Sequence, residues 1–228
     1  MPVPPAIRLY FLARATRFRY TLVRPKDAPT LWVDGADPLR ILVAGAGLAA
    51  GYGVETWADS LAGALGRRLG LATHRGVRVD IHASALLPAR TAVDRLGRNG
   101  AYSYDAVVFA PCYLEASITP GAGVGRHARA IQQHLLDTGG SQLQQVVMLG
   151  IPRPAQFSRL NLAAAEAATI TNRVLRDRAA GADRVSYLQP PDFATLADAV
   201  PFDREYYAGL GDEVAAALSP RLLASSAR

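Results

Sequence analysis

Short β-branched runs alternate with longer stretches of helical periodicity from Arg40 onward, and this alternation restricts the fold more than any other feature of the chain. The runs are Arg40 to Val43, Val77 to Ile81, Asp105 to Ala110, Gln145 to Leu149 and Arg184 to Leu188. Between them, helical patterns cover Glu55 to Leu69, Ala89 to Leu96, Gly125 to Asp137 and Leu160 to Arg178, and a last one lies near Glu205 to Leu218. Strands that alternate with helices in this way build a parallel sheet covered on both faces, joined by right-handed crossovers. The expectation is an α/β fold, a three-layer α/β/α sandwich on a five-stranded parallel sheet. A chain of 228 residues, half of them apolar, suits one such domain, placed at 40–228, with residues 1–39 as a basic extension packed on or beside it.

Charge is concentrated in that extension. Arg8, Arg14, Arg17, Arg19, Arg24 and Lys26 lie there with no acid before Asp27, and together they account for the whole net charge of +6. The remainder is close to neutral and shows no basic stripe with a recognition motif, which argues against nucleic-acid binding. Ile7, Tyr10 and Phe11 could share one helical face within residues 7–20 and touch a membrane surface or a partner; packing of that helix on its own domain is the favoured reading. Cys112 is the only cysteine, so no disulfide can form within the chain and no thiol-rich metal site is available. No apolar run reaches the roughly 20 residues of a membrane span, and arginines interrupt the N-terminal stretch. The expectation is a cytoplasmic protein without cofactor or metal.

In open parallel sheets, ligands bind outside the carboxyl ends of the strands. Four loops therefore matter: Ala44 to Val54, His82 to Pro88, Pro111 to Gly123 and Gly150 to Ser158. The stretch that contains the first, R-I-L-V-A-G-A-G-L-A-A-G-Y-G-V-E, residues 40 to 55, resembles the opening block of the SGNH/GDSL hydrolases, where a strand ends in G-D-S-L and a Gly-rich loop precedes the first helix. Gly45 matches the family's glycine and Leu48 its leucine. The G-I-P at Gly150 to Pro152 is similar to the ending of the family's fourth strand.

The resemblance implies the flavodoxin-like SGNH fold over residues 40 to 220. It also shows what has been lost. Gly47 stands where the family keeps its nucleophilic serine, and Ala46 stands for the aspartate. The segment His82 to Arg90 contains no glycine for the oxyanion hole, and Cys112, Tyr113, Leu114 and Glu115 occupy the place of G-x-N-D. Residues 202 to 211, F-D-R-E-Y-Y-A-G-L-G, occupy the place of D-x-x-H, and no histidine follows His134. A serine nucleophile needs a base within reach and preorganised oxyanion donors, and the members act as a unit. Together these losses imply a catalytically inactive relative acting as a ligand-binding or protein-interaction subunit, with a protein partner or a small acyl-type ligand.

Two alternatives stay open. Chemistry could have moved within the same cleft, with Cys112 as a thiolate and His82 or Glu115 as base, giving acyl transfer or ester hydrolysis. G-A-G-L-A-A, Gly45 to Ala50, also satisfies the G-x-G-x-x-A dinucleotide pattern, although no acid ends a second strand about 20 residues further on. The expected pocket residues are Gly45, Ala46, Gly47, Tyr113, Asp203 and Arg204, with Arg204 facing Glu115 across the emptied nucleophile position. Asp59-Ser60-Leu61 reads as a displaced D-S-L inside the first helix, with a purely structural role. His74, His127 and His134 lack ligand spacing.

Overall fold

The structure is a computed structural model and describes residues 23–84, 103–112, 129–130, 132–137, 142–153, 159–192 and 202–225. Its frame is a six-stranded sheet. In chain order the strands are β1 (Thr30–Val33), β2 (Leu39–Gly45), β3 (Val77–Ala83), β4 (Ala106–Ala110), β5 (Gln145–Leu149) and β6 (Val185–Leu188), in spatial order β1-β3-β2-β4-β5-β6. The last five named in sequence are mutually parallel, as expected. β1 is antiparallel to β3, with Trp32 opposite Arg78 and Thr30 opposite Asp80.

The expected five-stranded parallel sheet is thus corrected to a mixed sheet of six. The missed strand is T-L-W-V, whose Leu31 and Val33 pack against the core. Its flanking prolines made it read as a connection, and four residues are too few to display alternation against that background.

The central strands are apolar on both faces because both are covered. Ile41 and Val43 of β2, Val79 and Ile81 of β3, Val108 of β4 and Val147 of β5 point into one core layer. That layer is closed by α1 (Leu61–Thr73), through Leu61, Leu65 and Leu69, and by α3 (Arg204–Ser225), through Tyr207, Leu210, Val214, Leu218 and Leu222. Their spacings of three and four residues place each set on one helical stripe. Leu42, Val107, Phe109, Val146 and Met148 point the other way, against Leu175 and Ala179 of α2 (Arg159–Ala180) and against Leu135, which lies among the helical residues 132–137.

Two helix boundaries differ from expectation. α1 begins at Leu61 instead of Glu55, because Ser60 is its N-cap: the Ser60 hydroxyl accepts from the Ala62 amide at 3.2 Å and donates to the Trp57 carbonyl at 2.7 Å. Asp59-Ser60-Leu61 therefore crosses the helix start and does not lie inside the helix. Its structural reading holds, since a capping serine is worth about 1 kcal/mol. α3 runs through Pro220 to Ser225, beyond the expected end at Leu218, and fully buried Leu222 anchors its last turn. The helix expected over Ala89 to Leu96 lies outside the described residues, as does the stretch 7–20. No helix among the described residues is long and apolar enough to cross a membrane.

Candidate functional site

β2 and β4 stop side by side, and the close approach of their ends shapes the site. Gly45 pairs with Ala110 on β4 and with Ala83 on β3. Its φ is +119°, and a Cβ there would collide with the Ala110 carbonyl oxygen. Only glycine tolerates both conditions. The Ala46 amide donates to that same carbonyl at 3.0 Å, and the Ser84 amide donates to the Gly45 carbonyl at 3.1 Å, so the ends of three strands are stitched together beneath the cleft.

One residue beyond, Gly47 opens a short 3₁₀ turn, Gly47–Ala50, with φ of +57°. A Cβ at position 47 would meet none of the described residues within 4 Å. The turn ends at Gly51 in the left-handed region, and α1 starts ten residues after it. The dinucleotide pattern at Gly45 to Ala50 therefore does not open a helix, which is what pyrophosphate binding by that motif requires.

Cys112 lies two residues past β4 and is only 6% exposed, packed in the same layer as Ala46 and Phe109. His82 is the last residue but one of β3, half-buried, pairs with Ala44 on β2 and points to the sheet face opposite Ile81. Tyr113 and Glu115 lie outside the described residues. Of the other histidines, His74 is exposed and forms the left-handed C-cap of α1, His134 is half-buried, and His127 lies outside the described residues.

The far wall of the cleft is the start of α3. An Asp203 carboxylate oxygen accepts from the Tyr206 amide at 2.8 Å, so Asp203 caps this helix. Arg204 reaches Asp59 at 3.4 Å across the exterior, with 79% of its side chain exposed. The ion-pair partner of Arg204 among the described residues is Asp59, next to the α1 cap, and the expected partner, Glu115, lies outside the described residues. Asp59 in turn accepts from the Thr56 hydroxyl at 2.9 Å.

Further residues tie the elements around the site together; Tyr206 and Tyr207 belong to the segment 202 to 211 that the sequence singles out, whereas Asn172 does not stand out in it. Tyr207 is completely buried and donates to the Tyr52 carbonyl at 2.9 Å, tying α3 to the glycine loop. Desolvation holds its phenol well above the ordinary tyrosine range. Tyr206 donates to the Pro191 carbonyl at 2.8 Å and packs against Phe202. Beyond β5, the Asn172 side chain clamps the Ile151 backbone, accepting from its amide at 2.7 Å and donating to its carbonyl at 2.8 Å. Arg153 and Asp192 form a forked ion pair between the β5 and β6 loops, with N···O at 2.7 Å. Asn172 lies in the middle of a helix, and nothing local marks it as a loop clamp.

Among the described residues no cluster of His, Cys, Asp or Glu could hold a metal ion.

No protein-family model matches the chain, and no curated protein matches its sequence. Solved structures match its fold. An inhibitor-bound aryl esterase from M. smegmatis superposes with a TM-score of 0.62 at 16% identity, covering 80% of this chain and 99% of that one. TesA gives a TM-score of 0.61 at 19% identity, covering 79% and 98%. A lipolytic protein of the G-D-S-L family from Desulfitobacterium hafniense gives 0.54 at 13% identity, covering 78% and 98%. The α/β architecture is that of these esterases.

Proposed function

We propose that this chain, built on the fold of the GDSL esterases, is a catalytically inactive member of that group which recognises a ligand or a protein segment in the old active-site cleft. One observation carries the reading. Position 47, two residues past β2 where the resemblance puts a nucleophile, is a glycine with room for a side chain among the described residues. A glycine supplies no oxygen to attack a carbonyl, and Ala46 beside it supplies no carboxylate.

The sequence supports the reading independently, because no histidine follows His134 to act as base. Each missing oxyanion donor would cost on the order of a hundredfold in rate or more, and a triad without its nucleophile retains only residual activity. The cleft keeps an ordered floor and wall, in the stitched ends of β2, β3 and β4 and the capped start of α3. That geometry suits recognition of a small acyl-bearing molecule or of a partner's segment. A reducing compartment such as the cytoplasm is in keeping with the lone, buried Cys112.

Relocated chemistry at Cys112 is the rival, and the burial of that residue tells against it, since an attacking thiolate must meet its substrate. Intact-mass analysis after brief exposure to an activated short-chain ester, on the wild type and on Cys112→Ala, separates the two. The proposal expects an unmodified mass and release of alcohol no faster than in buffer. A stoichiometric acyl adduct that disappears with the cysteine would make the protein an enzyme with a moved nucleophile.

A further inference from the structure

At the opposite end of the sheet from the cleft, four side chains form a transverse row across three strands. Trp32 on β1 is the cross-strand partner of Arg78 on β3, and Arg78 is the partner of Arg40 on β2. The Arg78 guanidinium lies over the Trp32 ring at 5.2 Å, and the Arg40 guanidinium lies over the Tyr104 ring at 5.5 Å. Two like charges thus sit side by side on neighbouring strands, an arrangement that is destabilising by itself.

The carboxylate at hand is Asp80, and it is already committed. One of its oxygens accepts from Thr30 at 3.1 Å and from Arg78 at 3.0 Å, and the other accepts from Tyr104 at 3.2 Å. Arg40 meets no carboxylate within ion-pair distance among the described residues; Asp105 accepts only its backbone amide. The row therefore carries excess positive charge. It also exposes a large aromatic surface, since Trp32 is 61% exposed. Tryptophan and arginine together are the side chains that most often dominate protein interfaces.

β1 is also an edge strand: among the described residues it pairs with β3 alone. An extended segment laid along that edge would bring its side chains onto Trp32 and under the Arg78 guanidinium. From this charge, aromatic exposure and edge geometry, we propose that the Trp32–Arg78–Arg40 row is a docking surface for an acidic, extended segment of a partner protein. Arg78 and Arg40 stand five residues before Ala83 and Gly45, about 16 Å from the cleft at ~3.3 Å per residue. The surface goes beyond the reading of the cleft and stands whether or not the cleft turns over an ester.

The chain has two tryptophans, so its ¹⁵N-labelled form shows two indole signals. Trp57 is buried, and its indole donates to the Asp27 carbonyl at 3.1 Å, which makes it an internal reference. Titration of the full chain with a ten-residue oligoglutamate should move the Trp32 signal saturably and leave the Trp57 signal in place. Decalysine should move neither signal. Arg78→Gln and Arg40→Gln should each weaken the binding roughly tenfold, a typical loss for an interface anchor, with the Trp57 signal reporting that the fold is intact. No movement of Trp32, or equal binding by Arg78→Gln, would overturn the proposal. Equal or tighter binding of inorganic phosphate or of an oligo-dT decamer would overturn the assignment to an acidic protein segment. Ester hydrolysis assayed on the same samples reports separately on the cleft.

Discussion

Two glycines two positions apart do opposite jobs. Gly45 allows two strand ends to touch, and any side chain there would have to displace the Ala110 carbonyl. At Gly47 an added side chain would meet none of the described residues within 4 Å, and among them only the left-handed backbone disfavours one. Gly45→Ala should therefore cost about 3 kcal/mol, as forced overpacking does, and Gly47→Ser about 1 kcal/mol, the cost of a left-handed L-residue. Thermal unfolding of the two variants should show the first melting well below the second. On the proposed reading a serine at position 47 should add no esterase activity, because no histidine follows His134 in the chain. The resemblance sets A-G-A-G-L against G-D-S-L, but the sequence could not distinguish the two glycines. That distinction lies in the approach of β4, which is more than sixty residues away in the chain.

Elements with a long period were legible, and short ones were not. The five parallel strands and the helix at 159–180 were readable because each shows an apolar run or stripe long enough to stand out. β1 has four residues between prolines and a glycine, and what makes it a strand is its pairing with β3. Asp80 joins these pieces, binding Thr30 of β1 and the hydroxyl of Tyr104 just before β4. Burial, with Asp80 close by, pushes the Tyr104 phenol up to about 12, against roughly 10 in an unfolded chain. The folded state thus holds this proton more tightly than the unfolded state does. Its contribution to stability is complete below pH ~10 and is lost as pH rises toward about 12. Unfolding midpoints measured across that window should fall for the wild type and fall less steeply for Tyr104→Phe. The remaining decline should come from Tyr206 and Tyr207, which burial also shifts upward.

On the scale of the whole molecule, an α/β sandwich with the architecture of the solved esterases is the frame on which the proposed recognition rests. The sheet still brings the glycine loop, the end of β4 and the start of α3 to one end, with Tyr207 bonded to Tyr52 and Asp203 capping α3. The Asn172 clamp on Ile151 and the Tyr207–Tyr52 bond were illegible in sequence because the partners are distant in the chain and each residue type is ordinary where it stands. The Arg204–Asp59 contact was hidden for a related reason: Asp59 lies next to the α1 cap, and the sequence did not show how near that cap comes to the start of α3. The most direct test of the account is a single-tube NMR titration of the labelled protein with a short-chain acyl ester, following the ester's own signals beside the amides of residues 45–51. The account predicts saturable shifts of those amides while the ester stays intact. Free acid and alcohol accumulating in proportion to protein concentration would contradict it.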